Sequence, residues 1–525
     1  MVNINHTLPD DVESLKKLVI EERLRYKLLE EKFKLLQKKF FGKRSEKLTI
    51  EDELQGRLFN EAEDGSENEE ALSADKDASI TDETITIKEY TRKKSGRKQL
   101  SEDLFREEVI HDITEEEKKC PLCEESRPFI KDEISEELEI IPAKIHVLRH
   151  IKKVYGPCKC DGFLHSAKSE IISGKMPERF IPGSIVSPGL LAYTAVSKFA
   201  DALPFYRLSK IFERVGIDIS RATMCNWMME ASEKMKDFFN LFEKEVKSGS
   251  FIQMDETTIQ VLNEEGKNPE SKSYMWVAIG YPLRSRPLIL YQYHPTRSGN
   301  IPSTFLEDFK GYLQTDGYGG YNGIDKKENI IHVGCFAHSR RYFFEASKLN
   351  KKDSRAHKAL LFIRRLYEIE TKLREKNIPD ESFILSRKEG AEPVLKDFYE
   401  WLVKTESEII PESKTGKAVS YTLKEWSKLI RYLDKAFLTP DNNAVERAIR
   451  PFVIGRKNWL FSNTPRGACA SARMYSLIES AKANSLEPYA YLRYLFSKLP
   501  GTKDADSMKK LLPSYLEKDQ IDSAV

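Results

Sequence analysis

Two stretches of the chain decide its fold: residues 251–256, FIQMDE, and residues 311–321, GYLQTDGYGGY. Each contains an apolar run that predicts a β-strand and leads into an aspartate, Asp255 in the first and Asp316 in the second. Asp316 then opens a loop rich in glycine and tyrosine. A single aspartate after a strand is usually a turn or cap residue, but two of them on strands of one sheet can share a metal-binding role.

The surrounding residues predict a definite order of elements. The predicted strands are 251–256, 274–279, 287–293, 312–315 and 330–333, and the predicted helices are 301–310 and 339–348. This is the order of a ribonuclease-H-like α/β domain, in which the first and fourth strands carry carboxylates. Fold alone proves no chemistry. The stronger observation is that Asp255 and Asp316 fall on those two strands.

A third acidic residue, Glu446, lies in DNNAVER at 441–447, which predicts the start of a helix. Residues 349–435 before it have helical periodicity and predict an all-helical insertion. Asn442 or Asn443 is expected to cap the Glu446 helix, and Pro451 is expected to limit its length. Asp441 is a rival carboxylate, but a cap-like role suits it better. Two strand-end aspartates and a helical glutamate can hold two divalent cations about 4 Å apart, which stabilise the attacking and leaving oxygens of a phosphoryl displacement. The three acids therefore point to an enzyme that cuts or joins nucleic-acid backbone.

Length and composition set the outer bounds. At 525 residues the chain predicts three or four domains, at about 150 residues each. The net charge is only +2, but residues 51–83 are strongly acidic and offset basic segments elsewhere. No apolar run approaches the roughly 18 residues of a membrane span, and no signal peptide is evident. Seven cysteines do not make a disulfide scaffold, so the expected compartment is the reducing cytoplasm.

The N-terminal segment, residues 1–48, carries an apolar stripe with spacings of three and four that only Glu22 breaks. The stripe consists of Val12, Leu15, Val19, Glu22, Tyr26, Leu29, Phe33, Leu36 and Phe40. Four such heptads favour a coiled coil that joins two chains, and the alternative is an amphipathic helix packed on its own protein. Residues 49–100 follow as an acidic and then basic linker that is expected to be disordered. Its basic stretch at 92–98 can lie against DNA phosphates or be a solvated linker.

Two close cysteine pairs predict a structural zinc site in residues 101–170. Cys120 and Cys123 form the first pair, and Cys158 and Cys160 form the second. Four thiolates complete a tetrahedral zinc site, and the alternating sequence between the pairs fits the strands of a zinc-ribbon-like module. The alternative is four free cysteines. A redox role for the first pair is less consistent, because no thioredoxin-like βαβ pattern surrounds it.

Residues 171–248 are expected to be helical. Within them a helix, a glycine turn at Gly216, a Ser220 cap and a second helix match a helix-turn-helix pattern. In that interpretation Arg221, Thr223 and Asn226 face DNA. The alternative is an ordinary α-hairpin packed on the next domain.

Basic residues accompany the predicted acidic site. The candidates for contact with DNA phosphates are His338, Arg340, Arg341, Arg447, Arg450, Arg456 and Lys457. Packing and solvated charge are the alternative role for each of them. The C-terminal residues 467–525 are expected to form a helical tail over the core.

These motifs together resemble the insertion-sequence-sixty-six family within the wider DDE transposases. The most specific segments are FIQMDETT, YLQTDGYGGYNGI, HVGCFAHSRRYFFEA and DNNAVERAIRPFVIGRKNWLFS. The resemblance implies that Asp255, Asp316 and Glu446 are the catalytic DDE triad and bind Mg²⁺ or Mn²⁺. It also implies that the CxxC…CxC segment is the family's zinc-finger-like module.

The resemblance implies a transposase that binds the ends of an insertion sequence and catalyses DNA cleavage and strand transfer. Its expected partners are the terminal inverted repeats, target DNA, a second copy of the chain and helper proteins of the same element. Two alternatives stay open: a ribonuclease-H-like nuclease or resolvase without strand transfer, and a non-catalytic zinc-dependent DNA-binding regulator.

The expected architecture is multidomain α+β. A coiled coil, a zinc-ribbon-like module and a helical DNA-binding region precede a ribonuclease-H-like catalytic core, residues 249–348 and 436–466, which the all-helical insertion interrupts.

Overall fold

The computed structural model describes residues 11–41, 145–155, 172–283, 286–324, 327, 329–349 and 354–522. Two compact units make up the chain: residues 67–176 form one, and residues 1–66 with 177–525 form the other. The smaller unit contains an antiparallel pair of short strands, β1 (Val154–Tyr155) and β2 (Ile172–Ser173). The linker and the cysteines of the predicted zinc module, Cys120, Cys123, Cys158 and Cys160, lie outside the described residues.

A five-stranded mixed sheet forms the centre of the larger unit. Its strands are β3 (Phe251–Gln260), β4 (Lys272–Leu283), β5 (Arg286–His294), β6 (Gly311–Gln314) and β7 (Ile330–Val333). The spatial order is β5-β4-β3-β6-β7, with antiparallel pairing from β5 to β3 and parallel pairing from β3 to β7. All five strands lie where the apolar runs predict them.

The central position of β3 follows from its sequence. Residues 251–254 are all buried, because helices cover both faces of the sheet. Gly311 permits the close approach of β6 to this strand. Its φ is 142°, and a Cβ at this position would lie 2.3 Å from the backbone oxygen of Ser250. The resulting register places Gln253 of β3 beside Gln314 of β6.

Residues 177–250, directly before the sheet, contain four helices: α2 (Pro188–Phe199), α3 (Phe205–Arg214), α4 (Arg221–Lys234) and α5 (Lys236–Val246). The turn between α3 and α4 contains Gly216 with a φ of 79°. Ser220 caps α4, since its hydroxyl accepts a hydrogen bond from the backbone N–H of Thr223 at 3.1 Å. The predicted helix–glycine turn–helix pattern is therefore present in this segment.

Between β3–β5 and β6 lies the short helix α6 (Asn300–Phe305), and α7 (Phe336–Leu349) follows β7. The sequence predicts a longer first helix, to residue 310. That boundary is wrong because the chain turns after Phe305 to bury Leu306 and Phe309 in the core. Tertiary burial outweighs local helical periodicity at this point.

Three long helices occupy the segment of the predicted insertion: α8 (Ser354–Arg374), α9 (Asp380–Glu408) and α10 (Lys414–Leu429). A 3₁₀ turn at Ile430–Asp434 follows them. Together with α7 and β7 they form an apolar cluster of their own, which includes Phe343, Phe398 and Leu402.

Arg387 of α9 ties these helices to the chain that leaves them. Its guanidinium is fully buried and donates hydrogen bonds to Glu370 at 2.7 Å and to the backbone oxygens of Tyr432, Lys435 and Leu438 at 2.6 to 3.0 Å. Residues 432–438 are thereby held against α9. This segment leads directly to the helix that carries Glu446.

That helix is α11 (Asn443–Trp459), and α12 (Pro465–Ala483) and α13 (Pro488–Lys498) follow it. Two short helices, α14 (Ala505–Lys509) and α15 (Lys518–Asp522), complete the described chain. Pro451 lies inside α11 and does not limit its length, so that prediction is wrong. On both sides of the proline the side chains of Val445, Ala448 and Phe452 are buried in the core. Their burial offsets the loss of the backbone hydrogen bond that the proline cannot donate.

Both edges of the sheet are covered by hydrogen-bonding groups from distant segments. On β5, the N–H groups of Ile289 and Tyr291 donate to the hydroxyls of Ser480 and Ser476 of α12, each at 2.8 Å. On β7, Arg431 donates to the backbone oxygen of His332 at 2.9 Å. Such contacts occupy donors and acceptors that an edge strand otherwise presents to other chains.

The N-terminal segment forms α1 (Val12–Phe41), a helix of 30 residues. Most of the apolar stripe faces solvent: Phe33 is 61% exposed and Tyr26 is 70% exposed. A different side of the helix touches the rest of the unit, where Glu31 accepts the N–H of Lys414 at the start of α10, at 3.0 Å. No helix in the described parts of the chain is long and apolar enough to cross a bilayer.

Candidate active site

Asp255 and Asp316 lie beside each other near the middle of the sheet. Gln253 pairs with Gln314 across β3 and β6, and each aspartate follows its glutamine by two residues. Alternate residues of a strand point to the same face, so Asp255 shares a face of the sheet with Gln253. The register therefore brings together two acids that are far apart in sequence.

The pKa of Asp255 is shifted as a consequence of this proximity. Burial raises the pKa of its carboxyl well above the usual value, and the negative charges of Asp316, Glu256 and Glu446 raise the pKa further. A hydrogen bond from the N–H of Glu256 at 2.8 Å opposes the shift only in part. The protein thus holds like charges together at a cost, a pattern that is enriched at functional sites.

The loop after β6 fixes Asp316. The N–H of Tyr318 donates to the carboxylate of Asp316 at 3.0 Å, and the Tyr318 hydroxyl donates to the backbone oxygen of Arg297 at 2.7 Å. The guanidinium of Arg297 also stacks on the Tyr318 ring, 3.6 Å from its centre. These contacts give the glycine- and tyrosine-rich loop one conformation around the acid.

Glu256 is a buried acid that the sequence interpretation missed. Its carboxylate pairs with Arg297 and accepts a hydrogen bond from the Tyr321 hydroxyl at 3.0 Å. Burial raises the pKa of Glu256, and Arg297 lowers it. Glu256 therefore links β3 to the loop of Asp316. Only its position next to Asp255 could have indicated this role.

Glu446 lies in the first turn of α11 and faces the same cleft. Arg341 of α7 approaches its Oε2 atom at 3.3 Å, and the His338 Nε2 atom is 3.7 Å from Oε1. Burial raises the pKa of Glu446, Arg341 lowers it, and Asp441 and Asp316 raise it further. The interaction with Asp316 places the third acid within electrostatic range of the first two.

Two buried glutamines bind the segment that follows the three long helices and hold it beside this cleft. The Gln253 amide donates to the side-chain oxygen of Gln314 at 2.8 Å, and the Gln314 amide donates to the backbone oxygen of Thr439 at 2.7 Å. Gln253 also reaches the backbone oxygen of Asp441 at 3.4 Å. We call Gln253 and Gln314 the glutamine clasp. Because the clasp holds residues 439–441, it sets where α11 begins and where Glu446 points.

Further contacts secure the same segment. The N–H of Phe336 donates to the backbone oxygen of Pro440 at 2.9 Å, and the N–H of Asn442 donates to the Cys335 sulfur at 3.4 Å. Asp441 accepts the N–H of Asn443 at 3.1 Å, which agrees with the predicted cap-like role. Cys335 is thus a packing and hydrogen-bonding residue at this junction.

Replacement of Gln314 by leucine tests the clasp. The leucine cannot donate to the backbone oxygens of Thr439 or Gly334, and it leaves the Gln253 amide with only the 3.4 Å contact to the Asp441 backbone oxygen. We expect a loss of about 3 kcal/mol in the free energy of unfolding, since each unsatisfied buried group costs about 1–3 kcal/mol. Urea denaturation followed by circular dichroism measures the change.

A matched control is Gln292→Leu on β5, where the half-buried amide makes one hydrogen bond, to Glu243 at 3.0 Å. We expect it to cost less than about 1 kcal/mol. Equal losses for the two variants would show that the clasp does not hold the segment.

The chemistry of the three acids suits hard divalent cations. All three offer carboxylate oxygens, the ligands that Mg²⁺ and Mn²⁺ prefer. The Oε1 atom of Glu446 is buried without a hydrogen-bond partner, and so are His338 Nδ1 and the Nη1 donor of Arg450. Within the described ranges, no three His, Cys, Asp or Glu side chains are gathered closely enough to hold one cation.

The predicted basic residues separate into groups. His338, Arg341 and Arg450 lie around Glu446, with the pKa of His338 lowered to about 4 by burial and by the charge of Arg341. Arg340 is partly buried near Tyr367, and Arg447 is exposed beside the cleft. Arg456 donates to the Thr258 hydroxyl at 3.0 Å, and Lys457 is exposed near the end of α11.

The helix-turn-helix candidates lie apart from the acids. Arg221 and Asn226 are exposed on α4, as a DNA-reading role requires. Thr223 is half-buried, and its hydroxyl lies 2.9 Å from that of Ser220. Thr223 therefore belongs to the helix cap. The exposed Arg207 and Arg214 of α3 flank this surface and were not among the predicted residues.

Comparison with known families defines the class of protein first: the chain is a transposase, a protein that acts on nucleic acid. Residues 183–470 match the model described as Transposase IS66 family, and residues 476–514 match the IS66 C-terminal element. Residues 28–109 match the model described as Transposase C of IS166 homeodomain. The chain belongs to the IS66 transposase family, as its motifs predict.

Full-length relatives are also found in Sinorhizobium fredii. The uncharacterized protein y4qI is 27% identical over 555 residues, which span 98% of this chain and 98% of that protein. The uncharacterized protein y4jD is 28% identical over 529 residues, again 98% of each chain. The similarity therefore extends over nearly the whole length of the chain.

Proposed function

We propose that the chain binds the ends of an insertion sequence and catalyses metal-dependent DNA cleavage and strand transfer from a ribonuclease-H-like core. The observation that carries this proposal is the convergence of Asp255, Asp316 and Glu446 on one cleft of the sheet. The mixed strand order and the family membership support it. Isolated turn or cap acids have no physical reason to gather at a cost in electrostatic repulsion.

In this proposal Asp255, Asp316 and Glu446 would hold Mg²⁺ or Mn²⁺, which would supply positive charge for the oxygens of an in-line phosphoryl displacement. The chain's own residues orient the site. The glutamine clasp positions Glu446, the Tyr318 N–H positions Asp316, and the charge of Arg341 opposes the rise that burial causes in the pKa of Glu446. The exposed guanidinium of Arg447 and the partly exposed one of Arg341 suit contacts with DNA phosphates.

A strand-transfer assay tests this function. The substrate is a labelled duplex that carries the inverted repeat flanking the gene, and the second substrate is a supercoiled target plasmid. With Mg²⁺ we expect nicking at the repeat end followed by joining of the label to the plasmid. Cleavage without joining would instead favour the nuclease or resolvase. Binding without cleavage would favour the DNA-binding regulator.

We further propose that α3 and α4 contact DNA through Arg207, Arg214, Arg221 and Asn226. These side chains are exposed on adjacent helices of the helix-turn-helix pattern. A zinc site at the four paired cysteines remains part of the proposal on the spacing of those residues alone. Helper proteins of the same element remain a proposal from the family resemblance.

The exposed stripe of α1 supports a parallel coiled coil between two copies of the chain. The side that carries Glu31 touches α10, while Tyr26, Leu29 and Phe33 face outward at heptad spacing. A second copy is the occupant that covers such a stripe with matching residues. It also brings together two proteins to hold the two ends of one element.

Replacement of Tyr26 and Phe33 by aspartate is expected to convert the dimer into a monomer. Two charges in the seam of each helix oppose association, while both positions are exposed in the single chain and their replacement leaves its fold intact. Analytical ultracentrifugation measures the change, and circular dichroism checks the fold. Lys27→Asp, exposed on the same helix outside the seam, is the control and should remain dimeric.

A further inference from the structure

A cavity of about 520 Å³ lies beside the carboxylate cleft. Phe251 and Gln253 of β3 line it, and they share a face of the strand with Asp255. Ala444 and Arg447 of α11 line it from the other side. The cavity therefore uses the same strand and the same helix that present Asp255 and Glu446. We call it the side pocket.

Aromatic rings form much of the side pocket. The rings of Phe251 and Tyr281 are stacked, with centres 5.5 Å apart and planes 12° apart, and the Phe437 ring lies 5.6 Å from Phe251. Tyr281 and Phe437 are only half-buried, so part of each ring lines the cavity. Flat apolar surfaces of this kind suit a planar aromatic ligand. The volume falls within the range of about 300–1,000 Å³ that is usual for ligand sites.

The polar lining is restricted to a few groups. Asp380 and Asp441 supply carboxylate groups, and one oxygen of Asp441 already accepts the Asn443 N–H. Carboxylates accept hydrogen bonds from the amino groups of nucleobases. Arg447 supplies an exposed cation, which suits a phosphate. Aromatic walls, acceptors and a basic rim together match one nucleotide better than an apolar ligand or a peptide.

We propose that the side pocket receives one unpaired nucleobase of the DNA strand whose phosphodiester lies at the carboxylates. The inference rests on the proposed DNA-cleaving function and adds a specificity device to it. Phe251 and Asp255 are about 13 Å apart along β3, at about 3.3 Å per residue, which a strand crosses within a few nucleotides. An unpaired base near the cut offers the pocket its π face and its pairing edge, both of which a duplex hides.

The test compares two duplexes that both carry one central 2-aminopurine and differ only in its pairing. The 2-aminopurine is paired with thymine in one duplex and bulged in the other. Full-length protein carrying Asp255→Asn is used, so that cleavage does not intervene. We expect tighter binding to the bulged duplex, with quenching of the 2-aminopurine fluorescence by stacking on the rings.

Two variants in that background assign the effect to the side pocket. Tyr281→Leu removes a stacking surface, and Ala444→Leu fills space in the cavity. We expect each to weaken binding to the bulged duplex about 10-fold, within the range of base–aromatic stacking, and to change binding to the paired duplex less than 2-fold. Tyr399→Leu, exposed on α9 outside the cavity, is the matched control.

The outcomes separate the two proposals. The nucleobase site is overturned if the Asp255→Asn protein binds both duplexes with equal affinity. It is also overturned if both pocket variants keep the full preference for the bulged duplex. Neither result contradicts the cleavage function. Failure to bind either duplex overturns the DNA-directed function and the pocket with it. Ala444→Leu keeps the question decidable if Tyr281→Leu does not fold.

Discussion

Replacement of Asp255 by asparagine is expected to abolish DNA cleavage and leave DNA binding intact. The substitution preserves shape but removes the charge that, in the proposed mechanism, two cations share. The expected loss is roughly 1,000-fold in the rate of strand cleavage, the upper part of the range for removal of one group that stabilises charge in a transition state. A gel assay with labelled repeat ends measures cleavage, and fluorescence anisotropy on the same DNA measures binding.

The same variant is expected to be more stable than the wild type at neutral pH in the absence of divalent cations. Burial and the neighbouring acids raise the pKa of Asp255, so the folded chain favours its protonated form and is destabilised by ionisation. That cost is absent below the unfolded pKa of about 3.9 and grows as pH rises towards the folded pKa. Asparagine never ionises, so its advantage in melting temperature should appear at neutral pH and vanish near pH 3.

Addition of Mg²⁺ should make the wild type more stable than the Asp255→Asn variant. A cation that binds the folded wild type stabilises it by mass action, whereas the asparagine variant has lost the shared ligand and gains less. Asp308→Asn, at an exposed position of the same unit, serves as the control for loss of one negative charge. An equal Mg²⁺-induced rise in melting temperature for wild type and Asp255→Asn would contradict the assignment of Asp255 as a metal ligand.

Replacement of Arg387 by methionine is expected to cause a large loss in the free energy of unfolding. Methionine fills much of the same volume but leaves the buried Glu370 with only Arg374 as an ion-pair partner. The backbone oxygens of Tyr432 and Lys435 also lose the hydrogen bonds that the guanidinium donates. Removal of one partner from a buried ion pair costs about 3–5 kcal/mol. We expect a loss near 3 kcal/mol, because Arg374 retains part of the interaction. Urea denaturation measures it.

Two comparisons make this prediction specific. Arg364→Met breaks the exposed pair with Glu368 and should cost less than about 1 kcal/mol. The double variant Arg387→Met with Glu370→Leu should recover part of the loss, because no buried charge is left unpaired. A single Arg387 variant as stable as the wild type would show that the 432–438 segment is held by packing alone.

The parts of the fold that the sequence predicts well are those that depend on local patterns. The strands were found because apolar runs of strand length are bounded by turn residues. Asp255 and Asp316 stood out because each follows such a run. Three long helices between α7 and α11 likewise match the periodicity of residues 354–429.

The parts that escaped prediction depend on contacts between distant segments. Gln253 and Gln314 are ordinary polar residues in the sequence, and their role in holding residues 439–441 appears only when β3 and β6 are paired. Glu256 has no local signal that separates it from a solvated acid. Pro451 suggested a helix end, but burial of α11 on both sides of it outweighed the local cost.

The covered edges of the sheet have a consequence for how the chain folds during synthesis. β5 leaves the ribosome long before α12. The N–H groups of Ile289 and Tyr291 therefore lack their acceptors, the hydroxyls of Ser480 and Ser476, until α12 has been synthesised. During that interval the strand offers its N–H groups to any neighbouring chain, and several ribosomes on one message hold many copies close together. The sheet is thus vulnerable to intermolecular pairing until the last third of the protein has emerged. The fold therefore places the closure of the β5 edge among its later steps.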